Sequence, residues 1–187
     1  MDLVSYQDFG AALIDEAVTP ARIEHAVAEV AGDRVEVGPL LVGPGDAASV
    51  IAKGTLGAPR ARVATPESDG TRRFTVVIPA DLHLSVKVAG TLHRFEATVR
   101  VPLQMSVRTA AQPLALVIDI APLDASDLDV DVRASGMVGR VLGRLGNVDA
   151  KIRREVVAIV RARVESPAGR EATIINIGDT VESMWKS

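Results

Sequence analysis

From His93 to Arg108 polar and apolar residues alternate almost without interruption. Phe95, Ala97, Val99, Val101, Leu103, Met105 and Val107 fall on one face, and Arg94, Glu96, Thr98, Arg100, Gln104, Ser106 and Arg108 on the other. Successive side chains of a strand point to opposite faces, so the pattern predicts one long strand with an apolar side and a wet side. At ~3.3 Å per residue such a strand spans roughly 50 Å, whereas a compact domain of this length has a radius of gyration of about 16 Å. The sheet that contains it must bend, coil around a helix, or belong to an elongated body.

The same period continues on both sides. Phe74, Val76 and Ile78 alternate up to Pro79, which is expected to break or bulge the line. Leu82, Leu84, Val86 and Val88 alternate against Asp81, His83, Ser85 and Lys87, and Gly90-Thr91 turns the chain into the long strand. Leu114 to Ile120 and Leu128 to Ala134 predict two further strands. Arg34 to Val42, interrupted by Gly38-Pro39, then Ala48 to Leu56 and Arg60 to Thr65, predict earlier ones. Short links with turn residues between consecutive strands predict an antiparallel meander of about six to seven strands.

Helical periodicity brackets the strands. A first helix is expected from Ser5 or Asp8, with Phe9, Leu13, Ala17 and Ile14 on one face. A second runs from Pro20 to Ala31 behind a Thr19 cap, with Ile23, Val27 and Val30 apolar and Gly32 as its stop. After the strands, Met137, Val141, Leu145, Val148, Ile152, Val156, Ile159 and Val160 recur at steps of three and four. They predict a long amphipathic helix to Val164, ended by Ser166-Pro167-Ala168-Gly169. Thr173 to Ile177 is expected as a short strand and Val181 to Trp185 as a terminal helical turn. The expected class is α+β: one domain over 1–187, with helices in 1–32, a long, highly curved antiparallel sheet in 33–135, a long C-terminal helix in 136–165, and a strand and short helix in 166–187.

Composition narrows the chemistry. The 187 residues are 48% hydrophobic but only 3% aromatic, so Val, Ala, Leu and Ile supply the oil. No apolar run approaches the roughly 18 residues of a membrane helix. Without cysteine there is no disulfide, thiolate metal site or cysteine nucleophile. A net charge of −3 argues against nucleic acid as a partner. The N-terminus lacks a basic region followed by an apolar one, so a cytoplasmic location is expected if Met1 is the native start.

No motif for catalysis, metal or cofactor stands out. His25, His83 and His93 offer no obvious third ligand, although His83 and His93 could be neighbours across the Gly90 turn. Asp124, Asp127, Asp129 and Asp131 form an acidic run, but alternation spreads three of them along the wet face of a strand. Ser135-Gly136-Met137-Val138-Gly139 lacks the lysine and hydroxyl residue of a phosphate loop, and there is no Gly-x-Ser-x-Gly elbow. No metal and no cofactor is therefore expected. Arg140, Arg144, Arg153 and Arg154 lie on the long helix, where they could meet the head groups of an anionic membrane. Gly139, Gly143 and Gly146 in the same helix suit either a close approach to the sheet or space left beside it.

The stretch from Phe74 to Val88, Phe-Thr-Val-Val-Ile-Pro-Ala-Asp-Leu-His-Leu-Ser-Val-Lys-Val, is followed by Arg94-Phe-Glu-Ala-Thr-Val-Arg-Val-Pro-Leu. This pair, with Val141-Leu-Gly-Arg-Leu-Gly-Asn-Val leading into the long helix, resembles the tubular lipid-binding (TULIP) superfamily over roughly residues 34 to 185. The likeness is to bacterial relatives such as the mycobacterial lipomannan elongation factor family. It implies a long curved sheet wrapped around a helix, with lipid in the groove. Those relatives usually carry an export signal, which this N-terminus lacks.

The expected function is binding of a lipid or other long hydrophobic molecule, as a carrier and not an enzyme. The expected lining is Leu82, Leu84, Val86, Val88, Phe95, Val99, Val101, Leu103, Met105, Leu116 and Ile118 from the sheet, and Val141, Leu145, Val148 and Ile152 from the helix. Each buried CH₂ contributes about 0.8 kcal/mol, so an acyl chain needs no polar motif to bind. Two other classes fit the element order. A START-like helix-grip cyclase or dehydratase would draw its acid–base groups from His83, Asp119 or Asp131, though alternation turns all three outward. A protein-interaction domain would receive a partner helix in its apolar groove. Sequence leaves the oligomeric state open.

Overall fold

The long strand is longer than the alternation predicts, and it is half of a hairpin that organises everything else. The computed structural model describes residues 3–64, 71–133 and 148–178. Its strands are β1 (Arg34–Val42), β2 (Ala48–Leu56), β3 (Arg60–Val63), β4 (Arg72–Val88), β5 (Thr91–Ala111), β6 (Leu114–Ile120), β7 (Asp129–Arg133) and β8 (Ile174–Asn176). β4 and β5 pair in unbroken register from Arg72↔Val107 to Val88↔Thr91. The antiparallel sheet runs β1-β2-β4-β5-β6-β8, with β3 added to β4 and β7 added to β5. It is strongly curled, as a half-barrel. This meets the length problem, because the 21 residues of β5 would extend about 70 Å if straight.

Two prolines inside the hairpin explain how it stays continuous. Pro79 does not end a strand, contrary to expectation: it sits within β4 opposite Arg100. Its carbonyl accepts from Gly57 N–H at 2.8 Å, so its backbone faces the β2/β3 side. There the chain steps from β2 to β3 through residues 57–59, and no ladder donor is required. Pro102 mirrors this in β5. Gln104 accepts from Ala121 N–H at 2.8 Å, so alternate even residues of β5 face β6 and β7. Pro102 therefore faces the gap between those two strands. Each missing N–H points at a break in the flanking strand, and the central ladder loses nothing.

Alternation sorts the side chains cleanly. Phe74, Val76, Leu82, Leu84 and Val86 of β4, and Phe95, Ala97, Val99, Val101, Leu103, Met105 and Val107 of β5, are buried on the concave face. The convex face carries cross-strand polar pairs such as Thr75–Gln104 (2.9 Å) and Arg108–Asp119. No buried polar or charged side chain occurs among the described residues.

Helices α1 (Tyr6–Ala17), α2 (Pro20–Ala31), α3 (Val148–Val164) and α4 (Pro167–Ala172) complete the described fold. Ser5 and Thr19 cap α1 and α2 by accepting from Asp8 and Arg22 N–H. The stripe expected on α1 is turned: Phe9 and Leu13 are exposed, while Ile14, Ala17 and Val18 meet the core. Ser166 to Gly169 does not merely end a helix. Ser166 accepts from Gly169 N–H at 3.1 Å and caps α4, with Pro167 in its first turn. Gly169 is needed for this turn, since a Cβ there would stand 2.3 Å from the Arg163 carbonyl oxygen.

α3 lies against β1 at one edge of the sheet and β7 on the other side of the hairpin. Ile152 of this helix is fully buried. Lys151 donates to the Leu41 carbonyl and Arg153 to the Leu128 carbonyl. Residues two apart on a helix point about 200° apart, so the two cations tie the helix to opposite sides of the curl. Residues 136–147 of the expected long helix, and the expected turn at 181–185, lie outside the described residues. No described helix is long and apolar enough to cross a membrane.

Candidate functional site

The concave face is not uniformly packed. Near its middle, apolar side chains from three helices and the sheet converge around a cavity of about 220 Å³. Its floor is Ile78, Ala80 and Leu82 of β4, Val99, Val101, Leu103 and Met105 of β5, and Ile118 and Ile120 of β6. α2 contributes Ile23, Ala26, Val27, Val30 and Ala31, α3 contributes Val156, Ile159, Val160 and Val164, and α4 contributes Gly169 and Ala172. Val35 and Val37 of β1 and Leu56 of β2 complete the apolar wall, and Arg34, Glu36, Arg163 and Thr173 border it.

Several wall residues are only half-buried although they point inward, among them Val27, Val30, Ile159 and Val160. Protein interiors are close-packed, with few voids larger than a water molecule. Here about 220 Å³ of apolar space is left beside the sheet, and the half-buried wall residues are exposed to it. The walls are aliphatic, so water entering the space finds few partners. The arrangement suits an apolar guest.

The sheet half of the expected lining divides in two. Leu82, Val99, Val101, Leu103, Met105 and Ile118 border the cavity. Leu84, Val86, Phe95 and Leu116 are buried in solid core away from it, and Val88 packs half-buried at the hairpin end. The helix half is displaced. Val148 and Ile152 belong to the packed core, while the cavity lies against the later turns of α3, from Val156 to Val164. Val141 and Leu145 lie outside the described residues. α2 and β1 were apolar by pattern, but nothing in a periodicity says that they close the same space.

The expected head-group arginines also separate. Arg153 is engaged with the Leu128 carbonyl, and Arg154 is exposed. Arg140 and Arg144 lie outside the described residues. His83 and Asp131 are exposed on the convex face, and Asp119 holds Arg108 there, so none of these three borders the cavity. Register places His83 opposite Glu96 and His93 opposite Val86, so the two histidines are three positions apart and on opposite faces of the hairpin.

The acidic run resolves into separate contacts. Asp129 pairs with Arg100 at 3.2 Å and Asp131 with Arg133 at 3.6 Å. Asp127 accepts from Asp124 N–H at 3.0 Å. Asp124 is held below the ordinary aspartate value by the Ser126 N–H at 2.9 Å and the Ser126 hydroxyl at 2.7 Å, which both stabilise the ionised carboxylate. Among the described residues no group of three or more His, Asp or Glu is gathered for a metal ion. No family model matches the chain, and no curated protein matches it.

Proposed function

We infer that the protein binds a single hydrophobic chain, such as that of a lipid, between its curled sheet and its helices, and acts as a carrier. The unfilled aliphatic cavity supports this most strongly. The likeness of the β4–β5 hairpin to tubular lipid-binding proteins points the same way. On this reading the sheet wraps around the long C-terminal helix, and the ligand occupies the space left beside it.

Size sets the ligand class. A cavity of about 150 Å³ holds benzene, so one of 220 Å³ admits about nine carbon atoms on the same scale. That suits the tail of one medium chain and is small for both chains of a diacyl lipid. Burying about eight methylenes contributes about 6 kcal/mol before the costs of association. Affinities of tens of micromolar or weaker are therefore expected.

Native mass spectrometry of protein purified without detergent, before and after incubation with decanol, tests the reading. The expected result is a one-to-one adduct, or a co-purified chain that decanol displaces. No adduct and no co-purified chain would overturn it. The exposed apolar line Leu3, Tyr6, Phe9 and Leu13 favours a second reading, a protein-interaction domain. A dimer without any bound chain in the same spectra would support that instead.

A further inference from the structure

We propose that the chain held in the cavity carries an anionic head group, a carboxylate or a phosphate, which Arg163 and the free edge of β1 receive. This rests on the cavity being a ligand site and adds which end of the ligand goes where.

Arg163 is the one charged residue on the helical stripe that borders the cavity. Val156, Ile159, Val160, Arg163 and Val164 all border it at steps of three and four, so Arg163 continues the lining face of α3. Its Nη1 lies 3.9 Å from where a Cβ on Gly32 would stand, beside the start of β1. Among the described residues no carboxylate lies within ion-pairing distance of it.

The other two charged neighbours border the cavity differently. Leu56 N–H donates to the Asp33 carbonyl at 3.0 Å. That bond sets the phase of the β1–β2 ladder: Asp33, Val35 and Val37 bond to β2. The N–H and C=O groups of Arg34 and Glu36 therefore point off the edge, which no strand covers among the described residues. The side chains of both follow the outward face of β1, where the Glu36 carboxylate is neutralised by Lys53 at 2.9 Å. Thr173 donates its hydroxyl proton to the Arg170 carbonyl at 2.7 Å.

One end of an otherwise aliphatic space thus presents a guanidinium without a carboxylate and two outward backbone N–H groups. Oxyanions match this set, because they accept charge-assisted hydrogen bonds from both kinds of donor. An alcohol or ester meets the same donors without the charge. Arginine in the last turn of a helix also favours the helix dipole, so the test must separate binding from folding.

Calorimetric titration of the full chain with decanoate and with decanol, at a pH where the carboxylate is ionised, makes that separation. The wild type is expected to bind decanoate about tenfold more tightly than decanol. Arg163→Gln, which keeps a hydrogen-bond donor but not the charge, should bring decanoate down to about the affinity of decanol, whereas Arg161→Gln, on the same helix but not bordering the cavity, should keep the preference. Acetate and inorganic phosphate, which offer the charge without the chain, should bind far more weakly than decanoate; binding of either as tightly as decanoate would show that the chain adds nothing and overturn the proposal. Equal affinities for decanoate and decanol in the wild type, or a preference that survives Arg163→Gln, would overturn the head-group assignment while leaving the cavity as a ligand site. Binding of neither probe would overturn both.

Discussion

Ala80→Phe is expected to abolish binding of a medium-chain ligand while the protein stays folded. Ala80 is buried on the concave face of β4, opposite Leu56 on one side and Val99 on the other, and all three border the cavity. A phenyl ring added there projects into the unfilled space and takes the place of the guest. The loss should be at least about tenfold in affinity, or about 1.4 kcal/mol. Ala52→Phe provides the contrast. Ala52 is fully buried on β2 between Val37 and Leu84, and it does not border the cavity. The same ring there must displace packed atoms, which costs about 1–3 kcal/mol or more. Urea denaturation of both variants, with decanol titration of the folded ones, distinguishes a space built to be filled from one already full. Equal destabilisation by the two substitutions would show that the sheet has no special opening at Ala80.

Ile152→Ala should be among the most destabilising single truncations in α3. Ile152 is fully buried, the helix that carries it packs against both β1 and β7, and the cavity lies elsewhere along the helix. Removing three carbons leaves a void that the tethered helix is poorly placed to fill. Isoleucine-to-alanine changes in such positions cost about 2–5 kcal/mol. For a chain of this length each kcal/mol lowers Tm by about 2–4 °C, so a fall of about 4–20 °C is expected in a thermal melt. A fall of less than about 2 °C would mean that the helix does not hold the two sides of the sheet together. Val160→Ala, on the half-buried cavity stretch, should cost less, because the atoms it removes face open space and not close contacts.

The sheet was more legible than the site, for a physical reason. A period of two reports which face of a strand is buried, and it identified every inward residue of β5 from Phe95 to Val107. Proline was harder. Pro79 forbids a ladder donor, but whether that ends a strand depends on what lies beside it, and here the gap between β2 and β3 lies beside it. Ser166-Pro167 carries the same cap-and-proline signal as Thr19-Pro20. Read only as the stop of one helix, it concealed the start of the next. At the cavity, periodicity marked the apolar stripes of α2 and α3 correctly, but a stripe carries no distance. Whether Ile152 or Ile159 meets solid core or open space depends on the curl of the sheet and on where α2 crosses it. Those are tertiary quantities, and no local pattern encodes them.

The central claim is that an apolar chain occupies the space between β4, β5, α2 and the later turns of α3. Methyl-resolved NMR during titration with decanol tests it most directly. The methyl groups of Val99, Val101, Ile118, Ile159 and Val160, which border the cavity, should shift together and saturate, while those of Val50, Val86 and Ile152, buried in solid core, should stay nearly still. Shifts confined to Leu3 and Leu13 on the exposed N-terminal surface, or none at saturating ligand, would contradict it.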